Sequence, residues 1–185
     1  MPKHPNITPE LLRQLLRYEP DTGKLFWLPR PMEMFTIDGQ CKSWNTRFSG
    51  KEAFTYVCQR GYKQGAIFGR LQKAHRVAWM IERGEIPDGL IIDHVNGIGF
   101  DNRISNLRLA TQAQNLCNKR VQSNSATGVK GVSLHALTQR WMATINFKGR
   151  QKYLGLFDSV ADAEAAYLAA ADEYQGQFAY HKRAQ

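Results

Sequence analysis

Asp93 and His94 stand side by side at the end of an apolar run, with Asn106 twelve residues beyond His94 and Asn115 nine beyond that. An Asp carboxylate and an Asn carbonyl are hard oxygen donors of the kind that hold a divalent cation, and a neutral His can take a proton from water. A cation that offsets charge building on a phosphate, next to a base that activates water, is the equipment of phosphodiester hydrolysis. Taken singly, each residue has an ordinary reading, because Asp, Asn and Gly are common turn formers. The weight therefore lies on the ordered set.

The elements that would position these residues can be read from pattern. Residues 90–95 (Leu-Ile-Ile-Asp-His-Val) make a short apolar strand ended by the turn dipeptide Asn96-Gly97. Neighbouring strand residues point to opposite faces, so the strand must end or bend at this point for Asp93 and His94 to serve one site. Residues 104–110 form a second short segment. Thr111 and Gln114 then fit the S/T-x-x-Q capping box, which starts a helix at Gln112 and places Asn115 about one turn inside it. Ahead of the strand, residues 75–83 read as a helix with Val77, Ala78 and Ile81 on one face, closed by Gly84. His75 and Arg76 open that helix, in a structural or phosphate-contacting role rather than as metal ligands.

The blocks Tyr-x-x-x-x-Gly-Lys-Leu-Phe-Trp, Ala-His-Arg-Val-Ala-Trp, Ile-Asp-His-Val-Asn-Gly, Asp-Asn-Arg-Ile-Ser-Asn-Leu-Arg and Gln-Asn, running from about Lys24 to Lys119, resemble the HNH or ββα-metal endonucleases of the homing branch. The resemblance implies that His94 is the general base, that Asn106 orients its imidazole, and that Asp93 and Asn115 hold Mg²⁺ or Mn²⁺. It also implies hydrolysis of DNA at a preferred site to leave 5′-phosphate and 3′-hydroxyl ends. Asn115 stands where many relatives carry a third His, as in the homing branch. The apolar loop Ile98-Gly99-Phe100 departs from the polar residues usual there.

Composition points to the same partner. The 185-residue chain carries a formal charge of +9 with a pI near 9.6, which favours a polyanion. Between Leu116 and Phe157 lie seven basic residues (Lys119, Arg120, Lys130, Arg140, Lys148, Arg150 and Lys152) and no acidic one. No apolar stretch approaches the roughly 20 residues of a membrane span and no N-terminal signal pattern is visible, so a cytoplasmic protein without a membrane partner is expected. Cys41, Cys58 and Cys117 are too widely spaced for a C-x-x-C zinc site; they read as reduced, small buried hydrophobes and no zinc is expected.

The rest of the chain reads as an α+β protein in two modules. In residues 1–122, an N-terminal helix capped by Thr8 with Pro9 behind it carries Leu11, Leu12, Leu15 and Leu16 on one face. Short strands follow at 25–27, 54–58 and 62–68, leading into a nuclease core at about 75–120. Residues 30–48 show little periodicity and receive no element. A polar linker is expected at 123–127. From 128 to 185, strands at 129–134, 139–147 and 151–157, with a Lys148-Gly149 turn, precede a helix capped by Ser159. The blocks Gly-Val-Lys-Gly-Val-Ser, Arg-Trp-Met-Ala-Thr-Ile and Tyr-Leu-Gly-Leu-Phe-Asp-Ser make this a three-stranded antiparallel sheet on one helix that resembles an Apetala2-type DNA-binding domain. That resemblance implies a sheet in the major groove of double-stranded DNA, with Lys130, Ser133, Arg140, Trp141, Lys148, Arg150 and Lys152 at the interface; Lys119 and Arg120 extend the basic run. Ser133 replaces the usual Arg of the plant domains, so their sequence preference does not carry over, and a core role for Trp141 competes with DNA contact.

The expectation is thus a metal-dependent DNA endonuclease acting as a monomer or weak dimer. The alternative is a non-catalytic DNA-binding regulator on a relict HNH fold. An RNA-directed nuclease fits less well, because the major groove of A-form RNA is too narrow for side chains to read.

Overall fold

A computed structural model describes residues 5–119, 121 and 125–180. The chain divides into two compact units, Met1–Leu109 and Ala110–Gln185, and each has its own apolar core.

In the first unit, helix α1 (Pro9–Leu15) begins at Thr8, whose hydroxyl accepts the Leu11 N–H at 3.3 Å. Leu12 and Leu15 are fully buried. Leu16, which the leucine stripe assigned to the helix, instead opens strand β1 (Leu16–Glu19). That strand pairs antiparallel with β2 (Lys24–Trp27), and β2 with β3 (Glu52–Ala53). The expected strand at 54–58 is broken by Phe54 at φ 58°, so that β4 (Tyr56–Val57) joins β5 (Lys63–Ile67) and β6 (Arg70–Lys73) in a separate sheet.

Residues 30–48 contain a 3-10 turn (Met32–Met34) and helix α2 (Asp38–Phe48), of which only Cys41 is buried. This helix is not held by an apolar stripe. The Arg30 guanidinium lies 3.9 Å from the Trp44 ring centre and 5.2 Å from that of Trp27, and the Asn45 amide both accepts from the Arg30 N–H and donates to its carbonyl. A cation–π and amide clasp of this kind has no periodic signature.

Helix α3 (Ala74–Arg83) buries Ala74, His75, Val77 and Ala78 and ends at Gly84, which takes φ 90° and donates its N–H to Met80. Strand β7 (Ile91–His94) pairs with β8 (Leu107–Ala110) in a two-stranded sheet, with a 3-10 turn (Ile104–Asn106) before β8. Ile92 and Leu107 belong to the same core as Leu12, Leu25 and Val77. The end of β7 is therefore anchored on the main core.

The second unit opens with helix α4 (Gln112–Cys117). Its capping box is complete: Thr111 accepts the Gln114 N–H and the Gln114 side chain accepts the Thr111 N–H. Strands β9 (Val132–His135), β10 (Arg140–Phe147) and β11 (Arg150–Phe157) form an antiparallel sheet in the order β11-β10-β9. Lys148 and Gly149 both take positive φ, 48° and 75°, the conformation of a two-residue hairpin turn. Helix α5 (Val160–Gln175) starts at Ser159, which accepts the Asp162 N–H, and buries Ala163, Tyr167, Ala170 and Ala171 toward the sheet. The architecture is the α+β class expected.

The compact units part at Leu109/Ala110, ahead of the polar stretch 123–127, of which residues 123 and 124 lie outside the described residues. One reason is Lys130. Its ammonium donates to the carbonyls of Leu116 (3.4 Å), Cys117 (2.5 Å) and Lys119 (2.9 Å), closing the C-terminal end of α4 with all three of its protons. A cation there also opposes the negative end of the helix. Among the described residues, no helix is long and apolar enough to cross a membrane.

Replacing Lys130 by Ala should therefore lower the unfolding free energy by about 1–3 kcal/mol, the usual range for hydrogen bonds to a charged group. Thermal unfolding checks this. An unchanged midpoint combined with weakened DNA binding would show that Lys130 serves DNA and not the helix.

Candidate active site

β7 ends at His94, whose carbonyl accepts the Gly97 N–H at 2.8 Å in a tight turn. The last two residues of the strand are both buried and have different partners. Asp93 turns toward Arg108 on β8, whose guanidinium donates to Oδ2 through Nε at 2.9 Å and through a terminal nitrogen at 2.8 Å. His94 turns toward Asn102, His75 and Tyr62. Both side chains are withdrawn from solvent, with relative exposures of 5% for Asp93 and 4% for His94.

The His94 ring is held on several sides. Nε2 lies 3.2 Å from Oδ1 of Asn102, the His75 ring stands edge-on with centroids 5.0 Å apart, and the Tyr62 ring is at 5.7 Å. Burial lowers the pKa of His94, opposed by its bond to Asn102 and the field of Asp93. His75 is driven further, to about 3, by burial first and then by His94, Lys73 and Arg76. Its Nδ1 is buried with no hydrogen-bond partner. Two imidazoles that would repel as cations are thus packed as neutral rings.

The Asn106 side chain bonds to the loop that follows His94. Its carbonyl accepts the Asn96 N–H at 2.8 Å and its amide donates to the Asp101 carbonyl at 2.7 Å, so both ends of the side chain go to the loop between β7 and β8. The Asn96 side chain adds a bond to the Asp101 carboxylate (2.6 Å), and Arg103 grips that carboxylate through two nitrogens. Asn102 contacts the ring, and Asn106 fixes the loop that carries it. The apolar residues Ile98-Gly99-Phe100 serve the same loop. A Cβ on Gly99 would come within 2.7 Å of the Gly61 carbonyl and 2.9 Å of the Tyr62 ring. Gly99 is therefore needed for close packing against the turn that carries Tyr62.

Asn115 sits on α4 in the second unit, half-buried. Arg76 is exposed on α3. Of the basic residues, Lys119, Lys148, Arg150 and Lys152 are exposed; Lys152 lies 4.0 Å over the Tyr174 ring on the helix side of the sheet, and Arg140 pairs with Asp158 at 2.8 Å. Ser133 is exposed on β9. Trp141 packs with Val129, Val132, Ala143 and Ala163, which places it in the core beneath the sheet. Arg120 lies outside the described residues. Sequence reasoning assigned nothing to Asn102, Tyr62 or Arg108, although Asn102 and Arg108 fall inside the Asp-Asn-Arg-Ile-Ser-Asn-Leu-Arg block.

Residues 72–117, which hold His75, Asp93, His94, Asn106 and Asn115, match the family profile described as HNH endonuclease. Protein 3.8 of Escherichia phage T7 is 30% identical over 121 residues, 65% of this chain and 97% of that protein. The chain belongs to one family with protein 3.8 and carries an HNH endonuclease domain. The "Uncharacterized HNH endonuclease L560" of Acanthamoeba polyphaga mimivirus is also 30% identical, over 124 residues, covering 67% of this chain and 64% of that protein. Among solved structures, a chain from "DNA binding and cleavage by the HNH homing endonuclease I-HmuI" aligns over 80% of this chain and 75% of its own, at 19% identity and a TM-score of 0.40. Within the HNH domain the Asp-His pair closes one strand, the second strand carries Arg108, and the loop between them is tied by Asn96, Asp101 and Asn106.

The depressed pKa of His75 has a consequence for stability. In the unfolded chain His75 titrates near 6.5, while in the folded HNH domain it stays neutral down to about 3. The unfolded state therefore binds the extra proton between these values, and stability, full above pH 6.5, is lost as pH falls toward 3. Its contribution to the slope approaches about 1.4 kcal/mol per pH unit. His75→Phe, which keeps a ring against Tyr62 and His94, should flatten the dependence of unfolding free energy on pH between 4 and 6. An identical slope in both proteins would remove His75 as its source.

Proposed function

We propose that this protein is a metal-dependent endonuclease that hydrolyses DNA phosphodiester bonds with His94 as general base. The reading rests chiefly on the buried Asp93–His94 pair at the end of β7, inside the segment that matches the HNH family.

The residues present fit a hard divalent cation. Asp93 offers a buried carboxylate that already holds a positive charge, the Arg108 guanidinium. Among the described residues no group of three or more His, Cys, Asp or Glu gathers at one point. A hard carboxylate oxygen such as that of Asp93 is the donor type of Mg²⁺ or Mn²⁺, which take one or two protein oxygens and complete their shells with water and substrate phosphate. Asp93 would hold the ion. When bound, it supplies charge stabilisation for the phosphate and the departing oxygen.

The protein's own part is proton transfer and orientation. His94, kept neutral by burial, takes a proton from water as the water oxygen bonds to phosphorus. The bond from phosphorus to the 3′ oxygen breaks, that oxygen gains a proton from solvent, and 5′-phosphate and 3′-hydroxyl ends result. Asn106 keeps the loop closed so that the ring does not have to be ordered when substrate arrives. His94→Ala should slow nicking of supercoiled plasmid in Mg²⁺ or Mn²⁺ by about 10²- to 10⁴-fold while DNA affinity stays nearly constant. Normal cleavage by that variant would end the mechanism. Binding without metal-dependent cleavage by the unaltered protein would instead favour a DNA-binding regulator.

The C-terminal unit is proposed as an Apetala2-like anchor for duplex DNA. Ser133, Arg140, Lys148 and Arg150, with Lys119 beyond α4, are the residues offered to DNA; Lys130 and Trp141 are committed to the fold. The cations would mainly meet phosphate. Replacing Lys148 and Arg150 together by Gln should make log affinity against log salt shallower by about 0.9 for each phosphate that is no longer neutralised. A slope that does not move would exclude this hairpin as an anchor.

A further inference from the structure

Among the described residues of the first unit, Asn102 is the least exposed buried polar residue, at 1%. Its side chain has two ends. Oδ1 lies 3.2 Å from Nε2 of His94, while Nδ2 is buried with no hydrogen-bond partner. An unsatisfied buried amide nitrogen costs about 1–3 kcal/mol, so a side chain kept in this state is one whose carbonyl matters where it is. Leu or Met at this position would avoid the penalty but could not meet the imidazole.

The backbone of Asn102 is held as firmly, and from outside residues 72–117. The Tyr18 hydroxyl on β1 donates to the Asn102 carbonyl at 2.6 Å in a buried bond, and Ile104 donates its N–H to the Pro20 carbonyl at 3.1 Å. Between them, Gly23 at φ 71° lies flat on the peptide joining Asn102 to Arg103. A Cβ there would fall 2.5 Å from that peptide's carbon and nitrogen. The β1–β2 turn is thus seated on the loop with no space for any residue but glycine.

We propose that Asn102 is the positioning residue for His94, and that the β1–β2 hairpin is the clamp that holds it. An amide oxygen only accepts, so Nε2 of a neutral His94 must carry the proton, and the lone pair is left on Nδ1. Asn102 thereby selects which ring nitrogen acts as base and fixes the ring plane. Both are properties that a freely rotating imidazole would have to acquire with each substrate. The assignment rests on His94 being the base, but the hydrogen bond itself can be observed without any cleavage.

The test uses the full-length protein labelled with ¹⁵N at histidine, at pH 8, where the imidazoles are neutral. The His94 ring should give a slowly exchanging Nε2–H proton and an unprotonated Nδ1 signal. Asn102→Ala should abolish the slow exchange, and its single-turnover nicking of supercoiled plasmid in Mg²⁺ should fall by about 10- to 100-fold with plasmid affinity unchanged. Tyr18→Phe, which removes only the hydroxyl and leaves the ring in the core, should keep the fold and show a smaller loss of the same kind. A slow Nε2–H that persists in Asn102→Ala, or full cleavage by a folded Asn102→Ala protein, would overturn the proposal. Loss of the proton with cleavage unchanged in both Asn102→Ala and His94→Ala would instead overturn the reading of His94 as the base.

Discussion

A histidine that is to remove protons in a dry place must be kept neutral, and its ring must be kept still. The surroundings of His94 meet both needs with the same groups. Removing the ring from water makes its cation expensive, and the rings of His75 and Tyr62 fill the space a hydrating shell would occupy. The burial that favours the neutral ring also deprives it of water to hydrogen-bond, so a protein group must take that place. Much of the nuclease unit supports that substitution. The β1–β2 hairpin stands behind Asn102, the β4–β5 turn behind Tyr62, and α3 supplies His75 from its first turn.

The loop between β7 and β8 shows how polar residues can be rigid without an apolar core. Asn96, Asp101, Arg103 and Asn106 bond chiefly to one another and to the loop's own backbone, so its entry and exit are tied by side chains from within. Where close packing is used, at Gly99 against Gly61, backbone meets backbone in a way that requires the absence of a side chain. A loop built this way keeps its shape because its polar groups already have partners, and reopening it would expose several of them at once.

Much of this was legible in the sequence. The capped helices α1, α4 and α5, the strand ending in Asp93–His94 and the antiparallel C-terminal sheet all carry local signals, either cap chemistry or alternation, that need no knowledge of distant residues. What could not be read depends on partners far along the chain. The role of Asn102 requires Tyr18, 84 residues away, and the pairing of Asp93 with Arg108 requires β7 to meet β8. Asn102, four positions before Asn106, could not be picked out because motif spacing fixes which residues enter a loop, but not which amide faces the ring. Helix α2 was missed because a guanidinium among aromatic rings holds it, with no repeating stripe.

Lys130 gives the molecule's modularity an unexpected seam. Because its three protons close the end of α4, the helix that bears the last residue of the nuclease motif draws part of its stability from the module that follows. A chimera cut in the polar stretch at 123–127 would separate a helix from its own cap, whereas a junction near residue 110 would keep them together. Exchange of the C-terminal module for another, in the laboratory or in evolution, would then carry helix α4 along with it, so that the new module arrives with the tail of the HNH segment attached.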